Sequence, residues 1–380
     1  TASWGPGYGV DAFTMLQTGY HIANEGTVMI EGDSRVPPPW MVQLSEVRSV
    51  GVAPPGASLL VAPVYVVWPG AQSEIPRSDH GGIRRASPGG PRGEGTLLVP
   101  PFGPGALLAS LTTAVAMGLL AVIFLTFGGG WAAVVGGLIA GLGTAAWSIA
   151  AHYYWQHGPA MMWLASGMYL SASHQVWAGA AFGAAGLTRP HTLVIAAATG
   201  IGRSIGERRW KPALLIGMGS LIGLLVLLLY QKQVFGSWSL FYGVDPEYSG
   251  RATSLDFGWY GRNLLNALFH PQKGLLIYAP FLLVLIPGIA AAWRAAPSWV
   301  RGSALGGLVY LLVQYKLRTF NDESTAFGYR YPLEAMIALA PLLFLSYTEW
   351  VRKRRLARWA FAVAVAFSIA FQFTGAIESF

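Results

Sequence analysis

RSIGERRWKPALLIGMGSLIGLLVLLLY, running from Arg203 to Tyr230, decides how the whole chain is read. A short connection carrying Arg203, Arg208, Arg209 and Lys211 opens directly into the 19 residues 212–230, none of them charged. Nineteen residues of α-helix rise about 29 Å, which matches the hydrocarbon thickness of a bilayer, roughly 30 Å. A basic connection joined to an uncharged span also carries a direction, because short loops rich in Lys and Arg are retained on the cytoplasmic side during insertion.

The same pattern recurs along the chain. Of 380 residues 53% are apolar and 11% charged, well below the roughly 25% charged of an ordinary soluble domain. The mean hydropathy is positive. A soluble enzyme is therefore excluded, and a polytopic membrane protein is expected. There is no cysteine, which removes disulfides, thiolate metal sites and cysteine nucleophiles from consideration. The net charge of +8 invites a nucleic-acid reading, but placement decides against nucleic acid as a partner. Eleven basic residues fall in three short connections: the one quoted above, Arg294 with Arg301, and the run Arg352, Lys353, Arg354, Arg355 and Arg358. The charge is mainly a topology signal.

Working outward from those connections, spans are expected at about 105–127, 131–148, 159–172, 212–230, 274–293, 303–316, 333–349 and 359–377. The opposite side receives 1–104, 149–158, 231–273 and 317–332, with most of the acids, among them Asp11, Asp33, Asp322 and Glu323. The fold class is thus an all-α transmembrane bundle, divided into an external region 1–104 and a transmembrane domain 105–380. Parity fails only at 177–200. Two short membrane segments with Arg189 at their turn resolve it, and an arginine inside lipid is costly unless it faces a polar cavity. The bland alternative is a misplaced span.

In the first 104 residues, Ala12, Met15, Leu16, Tyr20, Ile22 and Ala23 recur at helical intervals between Asp11 and Gly26. A short amphipathic helix lying on the membrane surface is expected, with Asp11 at its start. Residues 69–104 are rich in Gly, Pro, Ser and Arg without periodicity, so a mobile loop is expected there. Because Asp11 has to be external, a crossing ahead of Thr1 is also expected. No Walker loop, HExxH or GxSxG is present, and the glycines within spans are read as close-packing positions.

Seven tracts, taken in order, resemble the GT-C membrane glycosyltransferases that use polyprenyl-phosphate sugars, related to mannosyl, arabinosyl and aminoarabinose transferases. They are Asp11-Ala12-Phe13 with the following helix to Gly26, APPGASLLVAP at 53–63, Trp155-Gln156-His157-Gly158-Pro159, Gly186-Leu187-Thr188-Arg189-Pro190, Phe235-Gly236-Ser237, GLLIYAP at 274–280, and Phe327-Gly328-Tyr329-Arg330-Tyr331-Pro332. The resemblance implies a GT-C-like bundle in a bacterial inner membrane, with its large loops and its site facing outward. It implies transfer of a sugar from a polyprenyl phosphate to an external acceptor, with inversion. Asp11 matches the family's catalytic acid, a general base for the acceptor hydroxyl. The leaving phosphate needs cationic stabilisation, for which Arg330 ranks first, followed by Lys273, Arg189 and Arg262; His157 is a substrate-contact candidate.

Each of these has a plainer reading. Asp11 is equally a helix cap, and His157 beside Trp155 is equally an interfacial anchor. Asp322, Glu323 and Asp33 are candidates for a divalent cation, Mg or Mn, or else solvated loop acids. Many family members carry a second acid directly after the first, where this chain has Ala12. That departure keeps a second function class open, a noncatalytic subunit of a larger membrane complex built on the same fold. A transporter ranks third, because no repeated pair of interrupted helices is found.

Overall fold

The computed structural model describes residues 10–31, 41–45, 48–68, 70, 72–76, 96–240, 246–320 and 327–378. Sixteen α-helices and five short strands occur among them. The strands all lie in the first hundred residues. β1 (Ile30–Glu31), β2 (Met41–Ser45) and β3 (Arg48–Gly51) form one antiparallel sheet in the order β1-β3-β2, and β4 (Ser73–Pro76) pairs with β5 (Thr96–Val99). The expected mobile loop is therefore partly a strand pair, and residues 77–95 of it lie outside the described residues. The bundle itself is helical, as the hydropathy pattern required.

α1 (Val10–Glu25) and α2 (Gly56–Val67) pack on each other, with Gly19 against Val61. Met15, Leu16, Ala57, Val61, Tyr65, Ala109 and Tyr154 close one apolar cluster between them and the bundle. This corrects the expectation of a surface-lying helix. The apolar face of α1 is covered by protein, and the Tyr154 hydroxyl fixes the arrangement by donating to the Ala57 carbonyl at 2.7 Å.

Among the described residues, four helical stretches are long and apolar enough to cross a membrane: Phe102–Leu125, Lys211–Phe235, Leu333–Val351 and Arg355–Ile377. We label them α3 (Phe102–Leu125), α8 (Lys211–Phe235), α15 (Leu333–Ser346, continued by a π-turn to Val351) and α16 (Arg355–Glu378). α3 begins at Phe102, after Pro100 and Pro101, three residues earlier than the pattern suggested. Their surroundings differ: 56% of the α15 window is buried, against 28% for α8 and for α16. α15 is a central helix, whereas α8 and α16 turn most of their side chains outward, which suits helices facing lipid.

Between these stand α4 (Trp131–Leu142), α5 (His157–Leu170), α6 (Gln175–Thr188), α7 (Leu193–Glu207) and α14 (Ser298–Leu317). The stretch expected as one span at 274–293 is broken into α11 (Leu275–Tyr278), α12 (Phe281–Leu285) and α13 (Ile289–Ala295), because Pro280 and Pro287 each remove a backbone donor. The connection at 231–273 is more ordered than an external loop. It contains α9 (Pro246–Thr253) and α10 (Phe257–Phe269), the latter capped by Asp256, which accepts the Trp259 N–H at 2.8 Å.

At 177–200, where parity failed, two short helices, α6 and α7, meet at Arg189. α6 is held against α8 through facing small-residue motifs, Gly179-x3-Gly183 and Gly219-x3-Gly223, where a Cβ on either helix would strike the opposite backbone. α7 meets α14 in the same way, with Gly202 against Gly302. The helices alternate in direction between two ends of the bundle. At one end Arg203 donates to the Ala172 carbonyl at 2.9 Å, Gly206 faces Ser298, and Ala296 and Val300 share a cluster with Leu345. This end gathers all three basic connections. At the other end several helices start or stop around one carboxylate.

Candidate active site

That carboxylate is Glu334, the second residue of α15. Pro332 precedes the helix and supplies its N-cap, so the acid sits in the first turn, where unpaired N–H groups favour negative charge. It is fully buried. An isolated carboxylate there is prohibitively costly, so its partners define the site. The His157 Nδ1 is 2.8 Å from Oε1, the Tyr310 hydroxyl donates to Oε2 at 2.8 Å, and Arg189 Nη1 stands 3.5 Å from Oε1.

Each partner is delivered by a helix end or a helical repeat. His157 opens α5, immediately before Gly158 and Pro159. Arg189 ends α6: its backbone turns extended, φ −143° and ψ 101°, as the residue before Pro190 must leave the helix. Tyr310 and Gln314 lie four apart on one face of α14. Arg189 Nη2 donates to Gln314 Oε1 at 3.0 Å and approaches His191 Nε2 at 3.4 Å, while the His191 ring stacks on Tyr310 with centroids 4.7 Å apart.

The hydrogen bonds also assign the tautomer of His157. Arg189 Nη1 is 3.0 Å from each ring nitrogen, and an arginine only donates. Nδ1 faces Glu334 and so carries the proton, whereas Arg189 Nη1, equidistant from the two nitrogens, lies against the ring. The imidazole thus stands between a carboxylate and a guanidinium, and the charges of Glu334 and Arg189 compensate each other inside the bundle.

Arg330 completes this end. Gly328 takes a left-handed φ of +69°, which a side chain rarely adopts, and so turns the chain toward Tyr329 and Arg330. The Arg330 guanidinium lies 4.3 Å from the centre of the Trp155 ring and 5.3 Å from that of Tyr331. It is half-buried, and its charge is felt at both His157 and Arg189. Two buried donors nearby, Arg189 Nε and the Trp155 indole N–H, have no acceptor among the described residues, a condition that is costly unless something else accepts from them. In the connection before α5, burial pushes the His152 imidazole below its ordinary pKa.

Three of the candidates named from sequence, His157, Arg189 and Arg330, therefore meet. Asp11 stands in the first turn of α1, and its neighbour Ala12 is fully buried in the same apolar cluster as Trp155. Arg262 is exposed on α10, and Lys273 is half-buried in the turn after it. The residues missed from sequence are Glu334, Tyr310, Gln314 and His191. Their signal was an acid, an amide and a histidine within or bordering apolar spans, where polar groups rarely occur without partners. Among the described residues no three acids or histidines stand together as metal ligands. Asp33, Asp322 and Glu323 lie outside the described residues.

No family model matches this chain, and neither the curated proteins nor the solved structures contain a match to it.

Proposed function

We propose that the chain is a GT-C-type membrane glycosyltransferase that moves a sugar from a polyprenyl-phosphate donor to an acceptor hydroxyl, in a bacterial inner membrane with the site facing outward. The observation that carries this reading is the convergence of His157, Arg189 and Arg330 at the end of the bundle opposite the basic connections. Asp11 lies in the first turn of α1, next to the buried Ala12. In the reaction, Asp11 takes the acceptor's proton as the acceptor oxygen bonds to the anomeric carbon. The bond from that carbon to the lipid phosphate oxygen breaks on the opposite face, giving inversion and a polyprenyl phosphate. Arg330 is the cation for the departing phosphate. Arg189, compensated by Glu334, acts as a positioning residue, since it holds His157 and the wall behind Trp155.

The test is transfer from a defined polyprenyl-phosphate sugar by Asp11→Asn in proteoliposomes, with thermal unfolding measured on the same sample. Loss of transfer at unchanged stability supports the base, and normal turnover removes Asp11 from the mechanism. One observation favours a second reading, a noncatalytic subunit of a membrane complex. The position after Asp11 is a buried alanine, where many enzymes of the resembling family carry a second acid. Native mass spectrometry of protein gently extracted from its own membrane separates the two readings. A monomer carrying polyprenyl phosphate fits the enzyme, and a fixed complex without it fits the subunit.

A further inference from the structure

A cavity of about 490 Å³ runs between α3, α4, α15 and α16, from Arg358 to Leu333, the residue before Glu334, and its volume falls within the roughly 300–1,000 Å³ of ligand sites. Its walls are almost wholly apolar. Leu120 and Phe124 of α3, Val135 and Ile139 of α4, Ile337 and Phe344 of α15 are typical, and Arg358 of α16 is the one charged residue on it. Along α15 it extends from Leu333 to Tyr347, about 21 Å of helix, which is more than half the hydrocarbon thickness of a bilayer. The long dimension therefore runs across the membrane, from the basic end toward the level of the carboxylate cluster.

Two further features define what fits. The first is a side opening: Val135 on α4 is 48% exposed, and Ala362 and Ala366, one turn apart on α16, line the cavity while exposed. Phe124 and Phe344, stacked with centroids 4.4 Å apart, lie beneath Gly136, where a Cβ would stand 3.1 Å from the Phe124 ring. The opening thus lies on the flank of the bundle, between α4 and α16. The second is charge. Arg358 closes a run with Arg352, Lys353, Arg354 and Arg355. Lys353 is paired with Glu349, and Arg354 covers the Trp350 ring at 3.7 Å, whereas the Arg358 guanidinium has no partner among the described residues.

We propose that this cavity holds one acyl chain of an anionic phospholipid drawn from the leaflet at the basic end, with the headgroup phosphate on Arg358. An apolar slot open to lipid accepts a hydrocarbon chain at little cost, and the cation at its mouth selects a negative headgroup. The headgroup position at Arg358 is distinct from the proposed position of the donor phosphate. A donor's phosphate belongs with Arg330 at the opposite end, and the phospholipid occupies the cavity whether or not the chain is a transferase.

The experiment uses the full chain, delipidated in detergent and then incubated with mixed micelles containing equal amounts of phosphatidylglycerol and phosphatidylcholine. Retained lipid is identified by native mass spectrometry. One tightly retained phosphatidylglycerol per chain is expected, with little phosphatidylcholine. Arg358→Gln, an exposed change without structural cost, reduces the retained fraction about fivefold. The double variant Ala362→Phe/Ala366→Phe fills the slot and abolishes retention. Arg209→Gln, which removes a basic residue of the same end away from the cavity, leaves retention unchanged. Equal retention of phosphatidylcholine, an Arg358→Gln protein that holds phosphatidylglycerol as the parent does, or a polyprenyl phosphate as the tightly held lipid of the untreated protein displaced by neither phospholipid would each overturn the proposal.

Discussion

The two ends of this bundle treat arginine in opposite ways. Arg189 is 6% exposed and reaches Glu334, Gln314 and two histidines, whereas Arg358 is exposed beside an apolar slot without a partner among the described residues. Both side chains border membrane-spanning helices. Where the protein supplies a carboxylate and an amide, the guanidinium is fixed, and its charge is cancelled inside the fold. Where it supplies none, the guanidinium is left to the headgroup region. The difference teaches that the charge of a buried arginine says little about ligand binding until its compensating acid is known. At the carboxylate end a second arginine, Arg330, rests on the Trp155 ring.

The largest effect that sharpens this contrast lies at the carboxylate end. Asp11→Asn is expected to lower transfer by a factor of about 10²–10⁴, the usual contribution of a general base, while the unfolding temperature stays within error. Side-by-side assays of turnover and thermal unfolding check it. A parallel fall in both would return Asp11 to the role of a helix cap.

Next in size is the carboxylate itself. Glu334→Ala leaves Arg189 charged and buried with no acid, so a loss of about 3–5 kcal/mol is expected, read as a lower midpoint in denaturant titration of the detergent-solubilised protein. Glu334→Leu with Arg189→Met removes both charges and is expected to recover most of that loss, since apolar pairs of similar volume often replace buried ion pairs without penalty. The rescued protein should lack transfer because His157 loses the group that fixes its tautomer. Rescue of stability with activity intact would show that the pair only holds the fold.

A third, smaller effect concerns the seam that sets Arg189 at its level. Gly223 has the backbone of Gly183 directly across from it, so Gly223→Ala forces α6 away from α8. A cost of about 1–3 kcal/mol is expected from overpacking, measured by the same titration. The comparable change at Gly217, whose Cβ position is open, is expected to be nearly neutral.

Much of this architecture was legible in the sequence, for identifiable reasons. Nineteen uncharged residues after a basic connection leave few alternatives to a span, and Pro190 after Arg189 forces a turn in a stretch too short for two full crossings. The breaks at Pro280 and Pro287 were overlooked because hydropathy reads a proline in an apolar run as one more apolar residue. The partner of α1 was illegible because an amphipathic face has the same pattern whether lipid or α2 covers it. Glu334 was missed for a related reason. An acid at the first turn of a span looks like an interfacial residue, and only the three-dimensional meeting of α5, α6, α14 and α15 shows it enclosed. The cavity beside α16 has no sequence signature, because it is defined by side chains that do not touch.

The smallest expected effect tests whether the two ends are energetically separate. α15 runs between them, with Glu334 in its first turn and Tyr347, at the end of the cavity, one residue beyond Ser346. Fourteen residues of helix separate the ends by about 20 Å, a distance at which substitutions without shared partners usually add to within about 0.5 kcal/mol. Combining Glu334→Gln with Arg358→Gln should therefore give the sum of the single effects on unfolding, and Arg358→Gln alone should change stability by no more than about 0.5 kcal/mol in lipid-free detergent. Adding phosphatidylglycerol should raise the stability of the parent and of Glu334→Gln equally. A larger gain in one of them would mean that lipid at the basic end is sensed at the carboxylate through α15, and the two ends would then have to be treated as one coupled site.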